Sequence, residues 1–164
     1  MSALLFIAAF FAFVWLVWIY IHRPVLQFPP LAFANDDPEM IAARKEAQNT
    51  IEEFLTLYKQ YPDGAGVKVP FLSSSGETEY LAAEVVRIDL PKIKVLLTSP
   101  PVSHEGPVER SQVFDLKELA DWIIILPNNK RKGGFTMRLM FKKAREQWGE
   151  LPPELVREEK AYKD

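Results

Sequence analysis

The chain has 164 residues, with 20 Lys and Arg against 22 Asp and Glu and a formal net charge of −2. It contains no cysteine, which excludes disulfides and thiol chemistry, and its two histidines supply few nitrogen ligands for zinc. This charge balance gives no overall attraction to nucleic acid, so we predict no nucleic-acid partner. We also predict no metal, no cofactor and no catalytic residue.

An uncharged run near the N-terminus is the strongest signal of location. Residues 3–21 carry no formal charge. A helix rises about 1.5 Å per residue, so this run spans roughly the 30 Å hydrocarbon core of a bilayer. Trp15, Trp18 and Tyr20 lie towards its end, where aromatic rings favour the headgroup region. We predict that residues 1–23 form one transmembrane anchor.

Two other interpretations of this run stay open. Ala32-Phe33-Ala34 resembles the cleavage site of a signal peptide, although Met1-Ser2 supplies no basic residue before the run. A buried core helix would also be apolar, but five turns without a polar face are unusual there. Arg23 follows the run, and cytoplasmic loops carry an excess of Lys and Arg. We therefore expect a single-pass protein of the inner membrane with its domain in the cytoplasm.

A proline-rich linker and an amphipathic helix come next. Residues 24–36 contain three prolines and are predicted to form a stiff linker. Asp36 or Asp37 then caps a helix with Pro38 at its first position, and the helix ends before residues 61–64. The helix carries one apolar stripe with spacings of three and four residues: Met40, Ala43, Ala47, Ile51, Phe54 and Tyr58.

Strands are predicted after this helix. Residues 67–71 fit an edge strand, where Pro70 is tolerated. Further strands are predicted at 78–88, 93–98, 122–126 and 134–141, with a turn at 73–76, a loop at 99–107 and a helical turn or strand start at 116–121. The strands 122–126 and 134–141 would form a hairpin through a turn at 127–130.

The C-terminal part is predicted to be helical. Residues 142–148 form a short helix in this prediction, and residues 153–163 form a charged helix within the tail 149–164. One helix before a run of strands indicates an α+β domain over 37–148, with an N-terminal amphipathic helix packed on a small antiparallel sheet.

The hairpin also carries a family resemblance. Asp121-Trp122, followed by a turn and Gly133-Gly134-Phe135-Thr136-Met137-Arg138, resembles the C-terminal signature of the bacterial domain of unknown function 2314 (YegJ-like) family. Upstream, Asp37-Pro38-Glu39-Met40 opens a helix, and an acidic residue, Glu79, lies in the second strand. The resemblance covers roughly residues 37–141. It implies a fold and an order of elements but no reaction.

We predict structural roles for the signature residues. Asp121 and Arg138 would lie side by side in the hairpin, as a cross-strand pair that sets the register or, alternatively, as a binding-site ion pair. Gly133 and Gly134 are typical of a bulge or a positive-φ turn, and Trp122 is expected in the core. The remaining signature residues are Phe135 and Thr136.

The histidines and the basic residues complete the candidates. His22 is expected at the membrane boundary and His104 in an exposed loop, where Ser103, His104 and Glu105 are consecutive and do not suit a catalytic triad. Residues 121–148 hold seven cations against two acids. A solvated surface explains this pattern, but Lys130, Arg131 and Lys132 are also candidates for contact with an anionic lipid surface.

Two classes of function are therefore compatible with the sequence. The first is a membrane-anchored, non-enzymatic binding or regulatory module with an unidentified protein partner. The second is an enzyme with a site of carboxylate and arginine on the sheet. The scarcity of histidine and the absence of cysteine favour the first.

Overall fold

The computed structural model describes residues 36–162. These residues belong to one compact unit, Leu31–Asp164. The predicted anchor, almost all of the predicted linker and His22 lie outside the described residues. Within residues 36–162, no helix is both long enough and apolar enough to cross a membrane.

Two helices stand where one was predicted. Helix α1 is Pro38–Asn49, and the carboxylate of Asp37 caps it by accepting from the backbone N–H groups of Glu39 and Met40. Helix α2 is Ile51–Gln60. The break is at Thr50, whose hydroxyl donates to the carbonyl oxygens of Glu46 and Ala47. The predicted stripe faces the interior: Met40, Ala47 and Phe54 are buried, and its other three residues are partly buried.

The strands form one antiparallel sheet of six strands among the described residues, in the order β4-β3-β2-β1-β5-β6. Their bounds are β1 Ala65–Leu72, β2 Thr78–Asp89, β3 Lys92–Leu97, β4 Ser111–Asp115, β5 Asp121–Ile125 and β6 Arg131–Gly133. Short 3-10 turns, Pro62–Gly64 and Leu116–Glu118, precede β1 and follow β4. The α+β class is confirmed, and β4 is a strand that the sequence analysis did not predict.

Strand β1 is central, so its prediction as an edge strand is wrong. It pairs with β2 along its whole length except for Ala65, but with β5 only from Ala65 to Lys68. Pro70 therefore lies in the part of β1 that is paired on one side only. This is the local environment of an edge strand, and it explains why a proline is accommodated there.

The predicted strand at residues 134–141 is also wrong. Gly133, the last residue of β6, and Gly134 after it both adopt positive φ angles, and the chain then enters helix α3, Phe135–Trp148. The predicted short helix at 142–148 is the second half of α3. A final helix, α4, covers Pro153–Ala161 and confirms the predicted C-terminal helix in the residues described.

Helices cover both faces of the sheet. One face packs on α1 and α2 through a core that includes Ala47, Phe54, Val69, Val95 and Trp122. On the opposite face, a second core joins Phe141 and Ala144 of α3 to Tyr162, with Ile123 of β5 packed against it. Successive strand residues point to opposite faces, so Trp122 and Ile123 belong to different cores.

Candidate functional site

Asp121, at the start of β5, is the best-connected polar side chain of the predicted signature. It is 3% exposed. Its Oδ1 accepts from the backbone N–H groups of Trp122 at 2.8 Å and Phe135 at 3.1 Å. Its Oδ2 accepts from the N–H of Thr136 at 2.8 Å and from the Thr136 hydroxyl at 2.6 Å. These four bonds occupy the acceptor sites of the carboxylate.

These bonds make Asp121 the cap of helix α3. The first backbone N–H groups of a helix have no partner within it, and Gly134 at the N-cap has no side chain to supply one. Asp121 fills this role from a neighbouring strand. Burial raises the pKa of the carboxyl group, while the bonds from Thr136 and the charge of Lys68 oppose the shift. The positive end of the helix dipole also favours the carboxylate.

Lys68 lies beside this cap and was not singled out in the sequence analysis. It is paired in register with Asp121 across β1 and β5 and with Ala82 across β1 and β2. Its ammonium group donates to the hydroxyl oxygen of Thr136 at 3.0 Å. Burial lowers the pKa of Lys68, and the neighbouring charge of Asp121 acts in the opposite direction.

An apolar cleft opens next to Lys68, on the face of the sheet that α3 and α4 cover in part. Its volume is about 310 Å³, at the lower end of the range for small-molecule sites. Its walls include Gly66, Ala82, Ile123, Met137 and Tyr162. Glu84 and Thr98 also line it, and Glu84 is exposed to solvent. The cleft thus combines an apolar body with one half-buried cation and two carboxylates, those of Asp121 and Glu84.

The two glycines of the signature allow α3 and Tyr162 to approach β5. A Cβ atom on Gly133 would lie 2.2 Å from the carbonyl oxygen of Trp122 and 2.5 Å from an atom of its indole ring. A Cβ atom on Gly134 would lie 2.3 Å from the ring of Tyr162. Both residues also need positive φ angles, which only glycine adopts at little cost. The predicted positive-φ turn is confirmed.

Arg138 does not form the predicted cross-strand pair with Asp121. It lies on α3, and its guanidinium group stands over the ring of Phe135, 5.8 Å from the ring centroid. No ion pair between Arg138 and Asp121 is present in residues 36–162. The reason is the conversion of the second hairpin strand into a helix, which leaves Arg138 without a register partner on β5.

Trp122 is confirmed as a core residue, at 1% exposure. Its indole N–H donates to the carbonyl oxygen of Ala47 and to the hydroxyl of Thr50, both at 3.1 Å. Its ring packs on Phe54 and on Phe135. Trp122 thus connects the break between α1 and α2 to the start of α3.

Several of the basic residues are paired in three dimensions. Arg131 donates to Glu158 at 2.7 Å and to the Tyr162 hydroxyl at 3.3 Å, which ties β6 to α4. Further pairs join α3 to α1, to the cap of α1 and to α4: Lys142 and Lys143 with Glu39, Lys143 also with Asp37, and Arg145 with Glu159. The charge excess read along the chain is therefore largely neutralised in space.

His104 belongs to a loop that is held by Glu79. Glu79 accepts from the N–H groups of Val102 and Ser103 and from the Ser103 hydroxyl, and these bonds lower its pKa. The Nδ1 atom of His104 accepts from the N–H of Ser74, and its ring packs on Phe71. His104 is half-buried rather than exposed, so that part of its prediction is wrong. Glu79 therefore orders the loop, and Glu79, His104 and Ser103 do not form the hydrogen-bonded chain of a catalytic triad.

A comparison with models of protein families gives a match over most of the described residues. The family model described as "Uncharacterized protein conserved in bacteria", domain of unknown function 2314, matches residues 37–149, which is more than half of the chain. The match includes Asp121, Thr136, Lys68 and the glycine pair. Comparisons with curated proteins and with solved structures give no match. The chain therefore belongs to the bacterial domain of unknown function 2314 family.

Proposed function

We propose that this chain is a membrane-anchored, non-enzymatic binding module of the bacterial inner membrane, and that it binds a small apolar molecule in the cleft beside Lys68. The observation that carries the proposal is the cleft itself, with apolar walls formed by Ala82, Ile123 and Met137. Small-molecule sites are typically concave and apolar with a few polar groups, and this cleft has that character.

A binding role fits the chemistry of the neighbouring polar residues. The carboxylate oxygens of Asp121 already accept hydrogen bonds from backbone N–H groups and from a hydroxyl. Thr136 is buried, and its hydroxyl donates to Asp121 and accepts from Lys68. A general base needs a free acceptor within reach of the proton that it removes. The alternative of a carboxylate and arginine enzyme required Asp121 and Arg138 to meet, and they do not form a pair.

Methyl NMR of the full chain tests the cleft. We expect hexan-1-ol to shift the [¹³C-methyl] signal of Met137 in a saturable way in phosphatidylcholine nanodiscs. Met40 and Met140 are internal controls because they do not line the cleft. Ala82→Phe, which places a bulky ring at the cleft wall, should abolish the Met137 shift. A shift that is equal at Met137, Met40 and Met140, or that survives Ala82→Phe, contradicts the proposal.

The membrane part of the proposal is supported by the uncharged run at residues 3–21 and by Arg23 after it. Reporters that are active on one side of the membrane, fused after Asp164, test the orientation. A cytoplasmic C-terminus is expected. Release of the full chain by alkaline carbonate would contradict an anchor, and a periplasmic reporter signal would contradict the orientation.

We also propose contact of Lys130 and Lys132 with the anionic surface of the inner membrane, because each basic residue near such a surface contributes on the order of 1 kcal/mol. Arg131 is left unchanged in the test because it holds α4 through Glu158. The double variant Lys130→Glu and Lys132→Glu should reduce binding of residues 31–164 to anionic vesicles. Equal binding of the variant and the parent would contradict the contact.

A further inference from the structure

The ammonium group of Lys68 has hydrogen-bond donors that its contacts within residues 36–162 do not use. A lysine ammonium has three donors. One of them goes to the Thr136 hydroxyl at 3.0 Å. Asp121 is close enough to act on Lys68 through its charge, but its four hydrogen bonds come from other groups. Lys68 thus has donors to offer to a ligand in the cleft that it lines.

The charges around the cleft indicate which ligand group suits Lys68. The carboxylate of Asp121 is met by three backbone N–H groups and by the positive end of α3. Among the described residues, Lys68 has one hydrogen bond, to the Thr136 hydroxyl, and the charge of Asp121 nearby. Burial lowers its pKa, and an anion placed against it would stabilise the charged form. A hydrogen bond between two charged groups is about twice as strong as one between neutral groups.

Two acidic residues line the cleft and oppose an anion there: Glu84, and Asp121, whose charge is offset by its hydrogen bonds from the start of α3. Glu84 pairs in register with Gly66, which lies two residues before Lys68 on β1. The side chains of Glu84 and Lys68 therefore lie on the same face of the sheet. Glu84 is exposed, so water weakens its repulsion of an anion at Lys68 but does not remove it. Lys68 is half-buried, so its attraction acts at the inner part of the cleft.

We propose that the natural ligand is a small amphiphile with one carboxylate, which accepts from Lys68 while its apolar chain packs on Ile123 and Met137. A single carboxylate suits a site with one cation, whereas a phosphate dianion would require additional cationic groups. This inference rests on the proposed function, since it names the class of ligand for the same cleft.

Hexanoate and hexan-1-ol form a matched pair of probes for this inference, with the same chain and different head groups. In the full chain in phosphatidylcholine nanodiscs, we expect hexanoate to saturate the Met137 methyl shift at a concentration about tenfold lower than hexan-1-ol does. Lys68→Met should remove this preference and leave the response to hexan-1-ol. Glu84→Gln should strengthen hexanoate binding and leave hexan-1-ol unchanged.

The two proposals fail in different ways. If hexan-1-ol binds but hexanoate binds no better, the carboxylate inference is overturned and the apolar cleft remains. If neither probe shifts Met137, both are overturned. Glu84→Gln keeps the test decisive should Lys68→Met prove unfolded, because it is a surface change. A hexanoate affinity that does not respond to Glu84→Gln would then contradict a head group placed at Lys68.

Discussion

Asp121→Ala is the substitution that best tests the structural account of the site. It removes the acceptor for four donors at once: three backbone N–H groups and the hydroxyl of Thr136. A buried donor that loses its partner costs about 1–3 kcal/mol, and water entering from the adjacent cleft can satisfy part of this set. The half-buried Lys68 would also lose the neighbouring negative charge that favours its charged form. We expect a loss of about 3–5 kcal/mol.

Asp37→Ala is the matched control for this substitution. Asp37 is also an N-cap, and its carboxylate accepts from the N–H groups of Glu39 and Met40. Its side chain is 24% exposed, so water can replace the lost acceptor. Loss of such a cap costs about 1 kcal/mol. The contrast between the two variants isolates the effect of burial and of the bonds to α3.

Urea unfolding of residues 31–164, followed by the fluorescence of Trp122 and Trp148, measures both free energies of unfolding. A similar slope for all variants is required for the comparison. Asp121→Asn should lie between the parent and Asp121→Ala, because the amide keeps one acceptor oxygen but turns an N–H₂ group towards two of the donors. If Asp121→Ala lowers the free energy of unfolding no more than Asp37→Ala does, Asp121 does not hold the start of α3 in place.

Two further predictions concern the helices and the glycine pair. Lys142 and Lys143 lower the pKa of Glu39 from 4.5 to about 2, so its contribution to stability is present above pH 4.5 and is lost as the pH falls towards 2. Glu39→Gln should therefore reduce the fall in the urea midpoint of unfolding between pH 5 and pH 2. An equal fall in the variant and the parent would contradict the pairing. Gly133→Ala should destabilise far more than Gly149→Ala in the same assay, since both residues have positive φ but only the Gly133 position would clash with Trp122. The Gly149 variant should lose about 1–2 kcal/mol from backbone strain alone, and equal losses would refute the role of close packing.

The error at residues 134–141 has a specific cause. Phe135, Met137, Leu139 and Phe141 alternate with other residues, and alternation is typical of a strand. The helical signal appears only over a longer window, in which Met137, Phe141, Ala144 and Trp148 recur at spacings of four, three and four. All four contribute to the second core. Glycines on both sides of this segment, Gly134 and Gly149, are a further helix-boundary signal.

Lys68 was missed for a different reason. It alternates with the buried residues Val67 and Val69, so in the sequence it has the pattern of a solvent-facing residue of an edge strand. Its burial depends on α3 and α4, which cover that face of the sheet from far along the chain. No local pattern contains this information.

The sequence by itself determined the α+β class, the family, the order of most elements, a helix cap at Asp36 or Asp37 and the core position of Trp122, because these follow from local spacing, capping chemistry and short motifs. The tertiary structure alone decided that β1 is central, that α3 replaces a strand, and that Asp121 caps this helix beside Lys68. These features depend on contacts between residues that are distant along the chain, and such contacts leave little trace in local periodicity.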